Sequence, residues 1–135
     1  MIDIHSHILP NLDDGSESME ESVEMLRIAR ESGTTDIVAT PHASARYPFV
    51  PELVAERLTE VRARVSDKLK IASGCDFHLS FENLQDVERR PQIYTIDGKS
   101  YLLVEFADFA IPPTIEDSFH SLQLAGLTPI ITHPE

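Results

Sequence analysis

Short apolar segments alternate with longer amphipathic segments along this chain. Five apolar segments have the length of β-strands and lie at residues 2–4, 36–40, 69–72, 101–104 and 127–132. Segments 19–29, 51–67 and 114–125 instead place apolar residues every three or four positions, which is typical of amphipathic helices. The alternation predicts an α/β fold built from parallel βα units.

Local signals define the ends of the predicted helices. Ser18 and Glu21 have the spacing of a capping box, and Gly33 is a C-terminal stop. The second helix is predicted from Pro51 to Asp67, and the last from a Thr114 cap to Ala125, with Gly126 as its stop. The apolar positions expected in the core are Met19, Val23, Leu26 and Ala29, then Leu53, Leu58, Val61 and Val65, then Ile115, Phe119 and Leu122.

The segment between the third and fourth strands is less regular. A short polar helix or turn is predicted at about Glu82 to Arg90. Residues 93–96 and 101–104, joined by Asp97-Gly98-Lys99, have the pattern of a β-hairpin with an Asp-Gly turn.

Composition and charge narrow the functional classes. The chain has 135 residues, a single-domain length, and 41% of them are hydrophobic. Its net charge of −12 argues against nucleic acid or an anionic membrane as a partner. We expect most of the acidic residues to lie on a solvated surface, and a minority to be balanced by divalent cations.

Cysteine content and hydropathy favour a cytoplasmic protein. Cys75 is the single cysteine, so no intrachain disulfide is expected. No apolar segment has the roughly 20 residues that span a bilayer. The first residues lack the basic start and long apolar stretch of a secretory signal.

Histidines and acids follow the predicted strands. His5 and His7 are two residues apart at the end of the first strand, so both side chains point to the same side. Parallel strands bring their carboxyl ends together, where imidazole and carboxylate groups are typical ligands of Zn, Fe, Mn or Ni. The strand-end residues are His5, His7, His42, Asp76, His78, Glu105 and His133.

Several of these residues are stronger candidates for metal ligation than others. His5, His7, His42 and His133 are expected ligands, while Glu105 and Asp76 would be costly to bury without a cationic partner. Three other positions have alternative roles. Asp14 is a ligand or a helix cap, with ligation favoured. Asp13 is a turn residue or supports a ligand, and His78 supports a ligand, contacts substrate or has no role.

Three further side chains have plainer interpretations. Cys75 precedes Asp76 and is expected to be a small core residue and not a nucleophile. Arg46 follows His42 and is either a contact for an anionic substrate or, as we favour, a solvated surface residue. His120 is expected on the exposed surface of the last helix.

The motifs together resemble the PHP (polymerase and histidinol phosphatase) superfamily. More narrowly, they are similar to the bacterial manganese-dependent protein tyrosine phosphatases of the CpsB/YwqE type. The resemblance covers the whole chain and rests on these motifs in order: MIDIHSHILP, DDGS, ATPH, GCD, LLVEF and ITHPE. The Asp-Asp-Gly after the first His-x-His favours this branch over histidinol phosphatases.

The resemblance implies a distorted (β/α)7 TIM-like barrel that binds two or three metal ions, usually Mn²⁺ and otherwise Fe, Zn or Mg. By motif match, the metal ligands are His5, His7, Asp14, His42, Asp76, Glu105 and His133, and the residues with catalytic roles are His42, Asp76 and His133. Asp76 stands where the family usually has a bridging glutamate, so its side chain is one methylene shorter.

A second departure is that the family continues beyond its His-Pro-Glu. It adds a phosphate-binding arginine, further βα units and a late Asp-x-His pair. Residues 1–135 are therefore predicted to be the N-terminal portion of a single domain and the first part of the barrel. We expect either a longer chain or association with another copy as a homo-oligomer.

The predicted function is hydrolysis of phosphotyrosine on proteins by a metal-dependent phosphomonoesterase that regulates capsular and exopolysaccharide synthesis. By resemblance, the substrate is the tyrosine-rich tail of a bacterial tyrosine kinase of polysaccharide export. Two alternatives stay open: a histidinol-phosphatase-like enzyme acting on small phosphate esters, and a metal-binding module without catalytic activity.

Overall fold

A computed structural model describes residues 1–107 and 111–134 of the chain. These residues form parallel strands that alternate with helices, as the sequence predicts. The elements are β1 (Ile2–Ser6), α1 (Met19–Glu31), β2 (Asp36–Ala39), β3 (His42–Ala43), α2 (Pro51–Arg62), β4 (Lys70–Ser73), β5 (Asp76–His78), α3 (Phe81–Arg89), β6 (Tyr101–Glu105), α4 (Ile115–Leu124) and β7 (Thr128–Ile131).

The strands of the described segments form two sheets. One sheet has the order β1-β2-β4 and the other the order β3-β5-β6-β7. Every pairing is parallel. The predicted α/β class with a parallel sheet is therefore confirmed.

Two chain segments pass from the first sheet into the second. The chain leaves β2 at Thr40 and Pro41 to enter β3, and it leaves β4 at Gly74 and Cys75 to enter β5. Because Pro41 has no N–H group, the ladder is interrupted there. Pairing resumes when the Asp76 N–H donates to the Pro41 carbonyl at 3.0 Å. His42 then lies opposite Asp76 in the register of β3 and β5.

The ends of α1 agree with the sequence prediction. The Ser18 hydroxyl accepts a hydrogen bond from the Glu21 N–H at 3.1 Å. The Glu21 carboxylate accepts from the Glu17 N–H at 2.7 Å, whereas a standard capping box would use Ser18. Gly33 follows the helix with φ of 94°, a left-handed conformation that suits a helix stop.

Two apolar clusters fill the space between the sheets and the helices. The first packs the three-stranded sheet against α1 and α2, and the second packs the four-stranded sheet against α3 and α4. Leu26, Leu58 and Val61 are buried as predicted, but the buried residue near the start of α2 is Val54 and not Leu53. In α4, Leu122 is buried and His120 is exposed, as predicted.

The predicted end of α2 at Asp67 is wrong. The helix ends at Arg62, and Ala63 is its cap. The chain must reverse within a few residues to enter β4 at Lys70, and the buried Leu69 is part of that reversal. The Arg62 side chain donates to the Ile71 carbonyl, which ties the helix end to β4.

The predicted hairpin is also wrong, since only its second arm, β6, is a strand. Residues 91–93 and 96–98 form 3-10 turns. Because β6 has β5 on one side and β7 on the other, no edge is free for an antiparallel arm. The Asp97-Gly98 turn signal does mark a tight turn, with φ of 53° and 67°.

The ends of the strand array expose apolar side chains. Taken as continuous segments, the strands lie in chain order from β1 to β7. Ile2 is 67% exposed in β1, and Ile131 is 42% exposed in β7. A parallel array with exposed apolar side chains in its two end strands agrees with the first part of a barrel that these residues alone do not close. None of the described helices is long and apolar enough to cross a bilayer.

Candidate metal centre

Histidine and carboxylate side chains converge near the carboxyl ends of β1 and β6 and at the first residues of β3 and β5. Within residues 1–107 and 111–134, three groups have potential ligand atoms within 4.8 Å of one another. The groups share members, so they form one continuous cluster. They are His7, Asp13, Asp14 and His42; His5, His7 and Asp76; and His42, Asp76 and Glu105.

His5 and His7 bring their rings together as the strand spacing predicts. His5 is in β1, and His7 is the first residue after the end of this strand. The two Nε2 atoms are 3.1 Å apart, and the ring centroids are 5.2 Å apart. Both nitrogens therefore point to one location, which suits two ligands of one ion.

Asp76 lies at the centre of the cluster and is 0% exposed. Its Oδ1 accepts a hydrogen bond from the Thr132 hydroxyl at 3.0 Å. None of the residues that the structure describes donates a hydrogen bond to its Oδ2. Instead, Oδ2 lies 3.4 Å from His5 Nε2 and 3.4 Å from His42 Nδ1. The side chain therefore links two of the three groups through one unsatisfied oxygen.

This orphaned oxygen fits a bound cation. A buried carboxylate oxygen without a hydrogen bond is costly, and a metal ion is a partner that would offset the cost. Burial raises the pKa of Asp76, but His5, Thr132 and His42 outweigh burial, so the pKa lies below its ordinary value. The carboxylate is therefore ionised near neutral pH, as a ligand must be.

His42 contacts acids on both sides of its ring. Its Nε2 lies 3.3 Å from Asp14 Oδ1, and its Nδ1 lies 3.3 Å from Glu105 Oε2. His78 Nδ1 lies 3.7 Å from the same Glu105 oxygen. His42 thus connects the predicted ligands Asp14 and Glu105 to the rest of the cluster, and His78 lies beside Glu105.

Asp13 holds the histidines in place. Its Oδ2 is 2.8 Å from His7 Nδ1 and accepts a hydrogen bond from the His42 N–H at 2.9 Å, while its Oδ1 accepts from the Gly15 N–H at 3.0 Å. Burial raises the pKa of Asp13, but these hydrogen bonds outweigh it and lower the pKa. Burial also lowers the pKa of His7, but Asp13 and the neighbouring acids raise it overall. Because the Nδ1 of His7 is hydrogen-bonded to Asp13, the Nε2 of His7 is directed towards His5.

Asp13→Asn is expected to weaken metal binding about 10- to 100-fold, because the variant loses the charge that orients His7. The metal affinity of each variant is measured by calorimetric titration. Asp67→Asn, at an exposed position in the turn after α2, removes the same charge and is the control. Equal affinities for the two variants would show that Asp13 does not support the site.

Gly15 lets the Asp13-Asp14 loop pack onto His7. A Cβ atom at Gly15 would lie 2.2 Å from the His7 carbonyl oxygen and 2.4 Å from His7 Cβ. The neighbouring Ser16 N–H donates to the same carbonyl at 3.1 Å. Only a residue without Cβ allows this approach.

Gly15→Ala is expected to lower the free energy of unfolding by about 1–3 kcal/mol, because the methyl group forces the loop away from His7. Metal affinity should also fall, because the displaced loop carries Asp13 and Asp14 with it. Thermal unfolding and metal titration measure the two effects. Glu17→Ala, at an exposed position in the same loop, should change neither, and a stable Gly15→Ala with normal affinity would contradict the packing argument.

The remaining predicted residues lie around the cluster. His133 is exposed, with its ring edge-on to His5 and a centroid distance of 5.1 Å. It belongs to none of the three groups, so its ligand role stays a prediction. Cys75 is 0% exposed, and burial raises its pKa, which agrees with a core residue and not a nucleophile.

Two neighbours of the cluster were missed by the sequence analysis. Tyr47 stacks on His42 with a centroid distance of 5.6 Å and an interplanar angle of 16°. Thr132 binds Asp76 as described above. The position of Thr132, one residue before His133, is a sequence signal that could have identified it as a neighbour of the cluster. The stacking of Tyr47 depends on the loop conformation and has no sequence signature.

Comparison with known proteins identifies a family and several relatives of this chain. The chain matches, over residues 1–135, the family described as capsular polysaccharide synthesis, CpsB/CapC. It is 37% identical over 139 residues to the tyrosine-protein phosphatase YwqE of Bacillus subtilis, covering 100% of this chain and 54% of YwqE. It is 34% identical to the tyrosine-protein phosphatase CpsB of Streptococcus pneumoniae, of which it covers 57%.

A solved structure is also similar. It comes from the crystal structures of YwqE from Bacillus subtilis and CpsB from Streptococcus pneumoniae, described as unique metal-dependent tyrosine phosphatases. The TM-score is 0.89 at 34% identity, covering 99% of this chain and 56% of that one. The chain spans about half the length of the relatives it matches, and its fold is that of the corresponding part of these phosphatases. By the family match over its whole length, the chain belongs to the CpsB/CapC family of capsular polysaccharide synthesis proteins.

Proposed function

We propose that this chain carries metal ligands of a phosphatase that hydrolyses phosphotyrosine on proteins. The observation that carries the proposal is the buried Asp76 Oδ2, which faces His5 and His42 and accepts no hydrogen bond from residues 1–107 or 111–134. The relatives named above are tyrosine-protein phosphatases, and their solved structures are described as metal-dependent.

The donor set suits a site for more than one ion. Imidazole nitrogens and carboxylate oxygens together accept Mn, Fe, Zn or Mg, and Asp76 is shared between two groups. We assign two or three ions, with Mn²⁺ preferred, to the complete domain. The residues that would hold them are His5, His7, Asp14, His42, Asp76, Glu105 and His133.

The chain's own residues would bind and orient the reacting groups. Bound divalent ions would supply an activated water as nucleophile and would neutralise the charge of the phosphate oxygens. His42 is held between Asp14 and Glu105, and His7 is held by Asp13. These contacts fix the donor atoms before substrate arrives, so little reorganisation is needed during the reaction.

The cleft beside the cluster suits an aromatic phosphate ester. It has a volume of about 860 Å³, and its wall includes Asp14, His42 and Glu105 of the cluster. Four aromatic side chains line other parts of the cleft, namely Tyr47, Phe49, Tyr94 and Phe106. A phenyl ring could pack against these side chains while its phosphate faces the cluster.

The family description places the protein in capsular polysaccharide synthesis. We propose that its substrate is a phosphotyrosine protein of that process, a bacterial tyrosine kinase of polysaccharide export, and that it acts in the cytoplasm. A homo-oligomer is a further proposal, to be measured by light scattering.

The test is release of phosphate from a phosphotyrosine peptide, with Mn²⁺ and with chelator. We expect Mn²⁺-dependent hydrolysis that exceeds hydrolysis of histidinol phosphate and of a phosphoserine peptide. Faster hydrolysis of histidinol phosphate would favour the small-molecule alternative. Metal binding without hydrolysis of any ester would favour a non-catalytic module, and the proposed activity would be rejected.

A further inference from the structure

Arg46 brings positive charge to an otherwise acidic cleft. Among the described residues that line the cleft, Arg46 is the only lysine or arginine, whereas Asp14, Glu82 and Glu105 carry negative charge. The whole chain has a net charge of −12. Among the described residues, no carboxylate forms an ion pair with Arg46 within 4.0 Å, unlike Arg27, Arg57 and Arg90 on the helices.

The loop that carries Arg46 has a defined conformation. The Ser44 N–H donates to the Tyr47 carbonyl at 3.0 Å, and the Tyr47 N–H donates to the Ser44 hydroxyl at 3.1 Å. Asn83 extends this order to the preceding strand, because its side-chain amide donates to the Ala43 carbonyl at 2.7 Å. The turn therefore projects Arg46 from a fixed base.

Tyr47 joins Arg46 to the metal cluster. Its ring stacks on His42, and the Arg46 guanidinium carbon lies 5.1 Å from the same ring's centroid. A cation over an aromatic face is held by the ring quadrupole. Arg46 is exposed, however, so its N–H groups face solvent and are accessible to a ligand at the mouth of the cleft.

We infer that Arg46 is a specificity residue that binds acidic side chains flanking the phosphotyrosine of a protein substrate. The inference rests on the proposed function and adds a sequence preference to it. The phosphate itself would be held at the cluster, which includes Asp14, His42 and Glu105. Arg46 lines the cleft, is exposed and forms no ion pair with a described carboxylate, so it is available for groups next to the phosphorylated residue.

The physical reason is electrostatic complementarity. The repulsion of an acidic peptide by the net charge of −12 acts over long range and is screened beyond about 8 Å at physiological ionic strength. An exposed arginine at the entrance instead attracts a carboxylate that is in contact with it. The guanidinium also has a planar fork of donors that matches a carboxylate. The expected preference is modest, because the pair forms at an exposed position.

The test measures binding, so it does not depend on turnover. The probes are fluorescent peptides with a hydrolysis-resistant phosphonate analogue of phosphotyrosine, flanked either by glutamates or by alanines. They are titrated with the Mn²⁺-loaded full-length protein, the Arg46→Gln and Arg46→Glu variants, and Arg30→Gln. Arg30 is exposed in the last turn of α1 and does not line the cleft, so its loss is a matched change of charge.

We expect the wild-type protein and Arg30→Gln to prefer the acidic peptide by about threefold to fivefold, as for an exposed ion pair. Arg46→Gln should remove the preference, and Arg46→Glu should reverse it. The preference should also shrink in 0.5 M salt, because the pair is screened.

The inference would be overturned by no preference in the wild-type protein, by an unchanged preference in the Arg46 variants, or by no binding of either peptide. An equal loss of affinity for both peptides would assign Arg46 to the phosphate and would also overturn it. A preference that depends on Arg46 in a protein that hydrolyses no phosphotyrosine would retain the inference and reject the proposed activity.

Discussion

Asp76→Asn is expected to lower the proposed phosphatase activity about a thousandfold and to reduce the number of metal ions bound. The substitution keeps the shape of the side chain but removes the charge from an oxygen that faces both His5 and His42. Because Asp76 belongs to two of the three ligand groups, its loss affects both. Removal of a single group that stabilises charge in an active site typically costs about 10²- to 10³-fold, and a shared ligand should be at the upper end.

The measurement combines phosphotyrosine hydrolysis with thermal unfolding in Mn²⁺. A ligand present at 100 times its dissociation constant stabilises the folded state by about 2.7 kcal/mol, so Mn²⁺ should raise the wild-type Tm by roughly 10 °C. Asp76→Asn should lose most of that rise. Asp67→Asn, which removes an exposed carboxylate, should keep it. A variant at Asp76 with normal activity and a normal Mn²⁺ response would refute the assignment.

Phe77→Ala is expected to lower the free energy of unfolding by about 3–5 kcal/mol. Phe77 is 0% exposed and packs edge-on against Tyr94 with a centroid distance of 5.3 Å. It lies in β5 between Asp76 and His78, on the face opposite the cluster. The cavity would therefore loosen the strand that positions Asp76, and metal affinity should fall with stability.

Urea unfolding measures this loss, and Phe81→Ala is the matched control. Phe81 is 70% exposed at the start of α3, so the same change of side chain should shift stability by no more than about 0.5 kcal/mol. If Phe77→Ala does not fold, Phe77→Leu provides the graded case, with an expected loss below about 1.5 kcal/mol. Similar stabilities for Phe77→Ala and Phe81→Ala would contradict the described core.

The sequence predicts the position of the cluster because parallel strands leave little freedom. His5 and Glu105 lie at or next to strand ends as predicted, whereas His42 and Asp76 are the first residues of β3 and β5. The parallel register still brings all four to one edge. The alternation of residues along β1 further predicts that His5 and His7 share a side. Periodicity and topology are sufficient for these features.

The prediction of a hairpin is wrong because local sequence signals do not specify which strands lie on either side of a given strand. The predicted strand at 101–104 is confirmed as β6, which also includes Glu105, but β6 is paired in parallel on both sides. The buried Tyr94 and Thr95 therefore lie in turns, although their apolar neighbours favour a strand. Tertiary context overrode the local preference.

Side-chain detail was equally beyond sequence analysis. The length of α2 depended on the reversal into β4, and the choice of Val54 over Leu53 depended on the rotation of that helix against the sheet. The unsatisfied oxygen of Asp76 and the stacking of Tyr47 on His42 depend on distances of a few ångströms. Such distances follow from packing and not from spacing along the chain.

The most direct test of the account is the metal content of the purified protein after dialysis against Mn²⁺. Elemental analysis would be combined with the intact mass, so that ions are counted per chain. The convergence of His5, His7, His42, Asp76 and Glu105 predicts two or three bound ions, and fewer in Asp76→Asn. One ion or none in the wild-type chain would contradict the claim that these strand ends form a metal centre.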